Sequence, residues 1–92
     1  MTNIFQDAKV LLIDDSKLNR AVIKKALSEL KMSVTECSDG QEGINTLNQQ
    51  RFDIILVDTV MPVMDGLSFL KEIKKDRSDD FTPVILMTGN DD

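Results

Sequence analysis

The chain has 92 residues, 41% of them hydrophobic, a net charge of −5, and no tryptophan, tyrosine or histidine. A chain of this length forms one domain at most, with a small core. The acidic balance, the lack of a basic block and the few aromatic rings argue against direct nucleic-acid binding, and the lack of histidine excludes Ser–His and Cys–His nucleophilic systems and the commonest zinc sites.

Residues 1–7 have neither a basic segment nor an apolar one, so no secretory signal is expected there. Residues 8–13 carry the run Val10, Leu11, Leu12 and Ile13, which reads as a buried strand ended by Asp14, Asp15 and Ser16. Such a run is too short to cross a bilayer, and with the single cysteine a reducing, cytoplasmic setting is expected. From 17 to 31 the apolar positions Leu18, Val22, Ala26 and Leu30, flanked by Ile23 and Leu27, recur at helical spacing, and Ser16 suits the N-cap. That apolar face is expected to be core in an intact domain. Lys17 falls near the acidic turn and is read as solvated.

Residues 33–37 form a short second strand, with Cys37 as a small buried hydrophobe at its end rather than a reactive thiol. Asp39 followed by Glu42 resembles a capping box that opens a helix to about residue 50. Its apolar face is thin, Ile44 and Leu47, so a surface position is expected. Asp53 and Asp58 bracket Ile54, Ile55, Leu56 and Val57, the continuous apolar run of a central parallel strand. A loop follows over 59–66, where Met61, Pro62 and Met64 read as loop-shaping and packing residues, and Asp65 with Gly66 turns the chain into a third helix. Leu67, Leu70 and Ile73 mark its core side, and Lys71, Glu72, Lys74, Lys75, Asp76 and Arg77 form a solvated end. Residues 83–87 give a fourth strand, with Thr88 and Gly89 after it.

This alternation of strands and helices implies a parallel sheet covered by helices, an open doubly wound architecture. Ligands of such sheets bind beyond the carboxyl ends of the strands. That rule sorts the acidic residues. Asp14, Asp15, Asp58 and Thr88 share one rim, Asp53 lies at the opposite one, Asp39 and Asp65 start helices, and Asp91 and Asp92 belong to the tail.

Alone, Asp14 and Asp15 read as a turn and helix cap, and Asp58 as a loop start. Together they are costly, because two unit charges about 4 Å apart repel by roughly 4 kcal/mol at an effective dielectric near 20. Either a carboxyl takes a proton or a cation binds. Oxygen donors without nearby His or Cys favour Mg²⁺, which keeps waters and leaves room for phosphate oxygens. One carboxylate can then attack phosphorus, and the Thr88 hydroxyl can donate to a phosphoryl oxygen.

Three segments, residues 10–16 (VLLIDDS), 58–67 (DTVMPVMDGL) and 83–89 (PVILMTG), resemble in order the motifs of the response-regulator receiver family. The resemblance covers essentially the whole chain. It implies a flavodoxin-like sheet, with Asp58 as phosphoacceptor and Thr88 as switch hydroxyl. It also implies Mg²⁺ held by Asp15, by Asp14 largely through water, by Asp58 and by the main-chain carbonyl of Val60. The expected donor is a phosphohistidine on a histidine kinase or phosphotransfer protein, and the domain would assist its own phosphorylation and dephosphorylation. Relative to that family, the sequence ends four residues after Thr88. A receiver without its fifth strand, that strand's lysine and the last two helices is therefore expected, with the fourth strand as an apolar edge prone to dimerisation or segment exchange.

Two rivals come from other classes. A non-phosphorylated oligomerisation module would not need the acidic residues. A phosphohydrolase with an Asp nucleophile usually has a second acid two residues later, where this chain has Val60.

Overall fold

The computed structural model describes residues 6–59, 64–76 and 82–87. Their elements run β1 (Lys9–Ile13), α1 (Lys17–Glu29), β2 (Ser33–Cys37), α2 (Gly40–Leu47), β3 (Ile54–Asp58), α3 (Gly66–Asp76) and β4 (Val84–Met87). Boundaries differ from the sequence reading by a residue or a few, as helix and strand ends commonly do.

The strands form one parallel sheet in the order β2-β1-β3-β4. Each consecutive pair needs a crossover, and right-handed crossovers that first run one way along the sheet and then the other leave helices on both faces. The architecture is the expected flavodoxin-like α/β one. β1 sits between two strands with Val10, Leu11, Leu12 and Ile13 fully buried, which accounts for its unbroken apolar run. On one face Leu11, Ile13, Ile55 and Val57 pack with Cys37, Leu47, Phe52, Phe69 and Ile73 in the main core, beneath α2 and α3. Val10 and Leu12 point to the opposite face, the side left to α1.

Local signals act where the sequence put them. Ser16 Oγ accepts the Asn19 N–H at 3.2 Å, and Asp39 Oδ1 accepts the Glu42 N–H at 2.9 Å while Glu42 Oε1 accepts the Ser38 N–H at 2.9 Å. Cys37 is buried, burial pushes its thiol above the ordinary range, and its Sγ lies 3.4 Å from Thr46 Oγ1. That is an unreactive core thiol.

In α1 no residue is fully buried: Leu18 is 74% and Val22 62% exposed, so the stripe expected to be core in an intact domain is open here, and the half-covered side carries Arg20, Ile23 and Leu27. Two expectations need correction. In α3 Leu67 is 56% exposed and Phe69 is fully buried, so the helix is rotated to aim Phe69 and Ile73 at the sheet. α2 is no surface helix, because Gly40 and Gly43 are buried with Leu47. A Cβ on Gly43 would collide with the Ile13 side chain and stand 3.2 Å from Phe69. The apolar face of α2 looked thin because glycine, not bulk, lets it approach. No helix among the described residues is long and apolar enough to cross a membrane.

Candidate acidic site at the carboxyl rim of the sheet

Parallel pairing delivers the acidic residues to one rim. Ile13 pairs with Val57, so Asp14, the next residue, comes opposite Asp58, and Asp58 pairs in turn with Met87. Asp15 follows at the turn into α1. Carboxylate oxygens from Asp14, Asp15 and Asp58 all lie within 4.8 Å of one another. Asp14 is 3% exposed, Asp58 half-buried and Asp15 open to solvent.

Asp14 is held from several sides. Its N–H donates to the Cys37 carbonyl at 3.1 Å, and its Oδ1 accepts the Ser16 N–H at 2.8 Å. Arg20 Nη1 donates to its main-chain carbonyl. Burial raises its carboxyl above the ordinary range; the Ser16 N–H opposes this, and the Asp58 and Asp15 charges add to the rise.

Below Asp58, the first turn of α3 comes very close to the end of β3. Gly66 N–H donates to the Thr59 carbonyl at 3.2 Å, and a Cβ on Gly66 would lie 2.6 Å from the Asp58 carbonyl oxygen. Only glycine permits that approach. Asp65 caps the helix through the Ser68 N–H at 2.8 Å, and this bond holds its carboxyl below the ordinary range. Thr59 N–H donates to the Met87 carbonyl at 3.1 Å, tying the end of β4 to the residue after Asp58.

The donor set is oxygen only. Two oxygens on opposite sides of an ion with Mg–O distances of about 2.1 Å stand roughly 4.2 Å apart. A spread of 4.8 Å therefore suits one small hard cation after slight closing, or with a water between. Of the residues expected here, Asp14, Asp15 and Asp58 are brought together, whereas Val60 and Thr88 lie outside the described residues. Asp53 is at the opposite rim, where its Oδ2 accepts the Lys9 N–H at 2.7 Å. A cavity of about 380 Å³ at that far rim, lined by Lys9, Arg51 and Asp53 among others, is separate from the acidic cluster.

Sequence reasoning missed Arg20 and the role of Gly66. Lys17, read from the sequence as solvated near the acidic turn, is exposed, and its side chain makes no ion pair among the described residues. Arg20 could have been found from its place one turn further along α1, on the side shared with Ile23 and Leu27.

Residues 10–92 match the family model described as the response regulator receiver domain. The sensor histidine kinase CheAY of Helicobacter pylori is 42% identical over 85 residues, which are 90% of this chain and 11% of that protein. The solved structure of the chemotaxis protein CheY4 of Vibrio cholerae aligns with TM-score 0.84 and 34% identity, covering 94% of this chain and 72% of that one. The response regulator TrrA of Thermotoga maritima, solved in complex with Mg²⁺-BeF, aligns with TM-score 0.81 and 26% identity over 90% of this chain and 70% of that one. The chain spans between 11% and 31% of the length of three of the curated relatives it matches. A parallel sheet with acids gathered at its carboxyl rim and a family match over nearly the whole chain lead to one assignment: the chain belongs to the response-regulator receiver domains of two-component signalling.

Proposed function

We propose that this receiver accepts a phosphoryl group on Asp58 from a phosphohistidine, with Mg²⁺ held among Asp14, Asp15 and Asp58. The observation that carries the reading is the gathering of three carboxylate oxygens within 4.8 Å, with no nitrogen or sulfur donor among them. Asp58 suits the nucleophile best. Asp14 is buried and committed to the Ser16 N–H, and Asp15 is exposed at the start of α1, whereas Asp58 ends a central strand and is half-covered.

A carboxylate oxygen of Asp58 forms the new O–P bond as the N–P bond to the donor imidazole breaks, and the leaving nitrogen keeps the electron pair and takes up a proton. Bound Mg²⁺ supplies positive charge against the oxygens of the transferring group. Asp15 would hold the ion directly and Asp14 largely through water, and the Val60 main-chain carbonyl would be the remaining protein ligand. The Thr88 hydroxyl donates to a phosphoryl oxygen. Such a domain assists its own phosphorylation and hydrolysis without being a turnover enzyme. A histidine kinase or histidine phosphotransfer protein is the donor, a reading supported by the similarity to a sensor histidine kinase.

The test is labelling with acetyl phosphate, read by intact-protein mass. The expected result is one added phosphoryl group that requires Mg²⁺, disappears with chelator and is absent from Asp58→Asn. Undiminished labelling of Asp58→Asn would end the assignment.

The rival reading, a non-phosphorylated oligomerisation module, is favoured by the exposed apolar residues Leu18, Val22 and Ile85. Failure of beryllofluoride with Mg²⁺ to bind, together with self-association, is the outcome that favours it.

A further inference from the structure

Asp14 can bring its carboxylate to the rim only if its peptide stays where β1 leaves it. The last contact it shares with β2 is the bond from its N–H to the Cys37 carbonyl at 3.1 Å. Beyond that point the chain turns away into α1, and Asp14 and Asp15 lie on the turn. Arg20, in the first turns of that helix, reaches back to it. Its Nη1 donates to the Asp14 carbonyl at 2.5 Å while its Nε donates to Glu36 Oε1 on β2 at 3.1 Å. Lys24 Nζ sits 3.3 Å from the other Glu36 oxygen. The Arg20 side chain is 14% exposed, so it is enclosed by these partners rather than free in water. A guanidinium is a rigid planar fork, and seating one edge on Glu36 dictates where Nη1 points.

We propose that Arg20 is a positioning residue of the acidic rim: seated on Glu36, its guanidinium holds the Asp14 peptide and so sets the spacing of the Asp14 and Asp15 carboxylates from Asp58 at which a divalent ion is taken. This rests on the reading that the rim binds Mg²⁺. The effect works through geometry rather than charge. Glu36, shared with Lys24, takes one edge of the guanidinium, and the nitrogen that reaches Asp14 meets its main-chain carbonyl rather than its carboxylate. Groups that orient metal ligands from outside the coordination sphere commonly matter about tenfold or more for affinity.

The test is a Mg²⁺ titration of the ¹⁵N-labelled chain followed at the Asp15 and Ser16 amides, with thermal melts recorded on each variant. Arg20→Lys keeps the charge but offers a single nitrogen, which cannot serve both oxygens with the fork's geometry. It should melt within a few degrees of the parent, bind Mg²⁺ about tenfold more weakly, and displace the Ser16 amide resonance before any Mg²⁺ is added. Glu36→Gln leaves Arg20 in place but weakens its seat, so it should lose affinity by a smaller factor. Parental affinity in a folded Arg20→Lys chain, or in Glu36→Gln should the first not fold, overturns the proposal. Asp15→Asn separates the two levels. If it binds Mg²⁺ as the parent does, the metal reading itself fails; if it loses binding while Arg20→Lys does not, only the role of Arg20 falls.

Discussion

Asp14 illustrates how a single carboxyl is governed by its surroundings. Burial first, and then the Asp58 and Asp15 charges, raise it above its ordinary range despite the Ser16 N–H. A raised folded value means that the folded chain keeps a proton which the unfolded chain releases. The stabilising contribution is therefore complete below the ordinary Asp value of 3.8 and is lost as pH climbs through the folded value. Asp14→Asn keeps the acceptor for the Ser16 N–H and removes the charge. In chelator at pH 7 it should melt several degrees above the parent, and the two curves should converge below pH 3.8, as followed by circular dichroism. A destabilised Asp14→Asn at pH 7 would show that the acidic cluster is already neutralised within the chain. Mg²⁺ should raise the parent's melting temperature more than the variant's, since the ion stabilises whichever form binds it better.

Helix α1 shows how an element can be well bounded yet loosely covered. Its end is a Schellman turn, with Met32 N–H donating to the Leu27 carbonyl at 3.2 Å and Lys31 N–H to the Ser28 carbonyl at 2.9 Å. Lys31 occupies the left-handed position at φ 66°, where glycine is the usual residue. An L-residue there costs about 1–2 kcal/mol, of which glycine's greater freedom in the unfolded chain takes back roughly 0.4–1 kcal/mol. Lys31→Gly should therefore stabilise the fold by about 0.5–1 kcal/mol, seen as a higher urea midpoint with an unchanged slope. No change, or a loss, would mean that the lysine side chain has compensating contacts. The N-caps of α1 and α2 were legible because each depends on a residue and its own neighbours within four positions. The covered side of each helix was not. Leu67, Phe69, Leu70 and Ile73 form a broad apolar arc on α3, and what lies beneath it decides that Phe69 rather than Leu67 is buried.

Across the whole molecule, β4 is an edge of the sheet among the described residues, with Ile85 47% exposed, and the Leu18 and Val22 side of α1 is also open. An apolar edge strand with unpaired backbone groups invites pairing with a second copy. This chain, studied alone, should self-associate in sedimentation velocity. Ile85→Lys should weaken the association about tenfold or more, since burying one isoleucine is worth about 1.5–3 kcal/mol. A parent that sediments as a monomer at every concentration would rule out this contact.

What the sequence by itself determined was the order of the elements, their N-terminal caps and the set of acids on one rim. Each depends on local spacing, or on the general rule that parallel strands all present their carboxyl ends on one side. Only the tertiary structure decided the rotation of α1 and α3, the close approach of Gly43 to Ile13 and of Gly66 to the Asp58 carbonyl, and the bond from Arg20 to the Asp14 peptide. These join residues from different elements, or turn on what a helix packs against. Their geometry follows from how whole elements settle on the sheet, which no periodicity within one segment encodes.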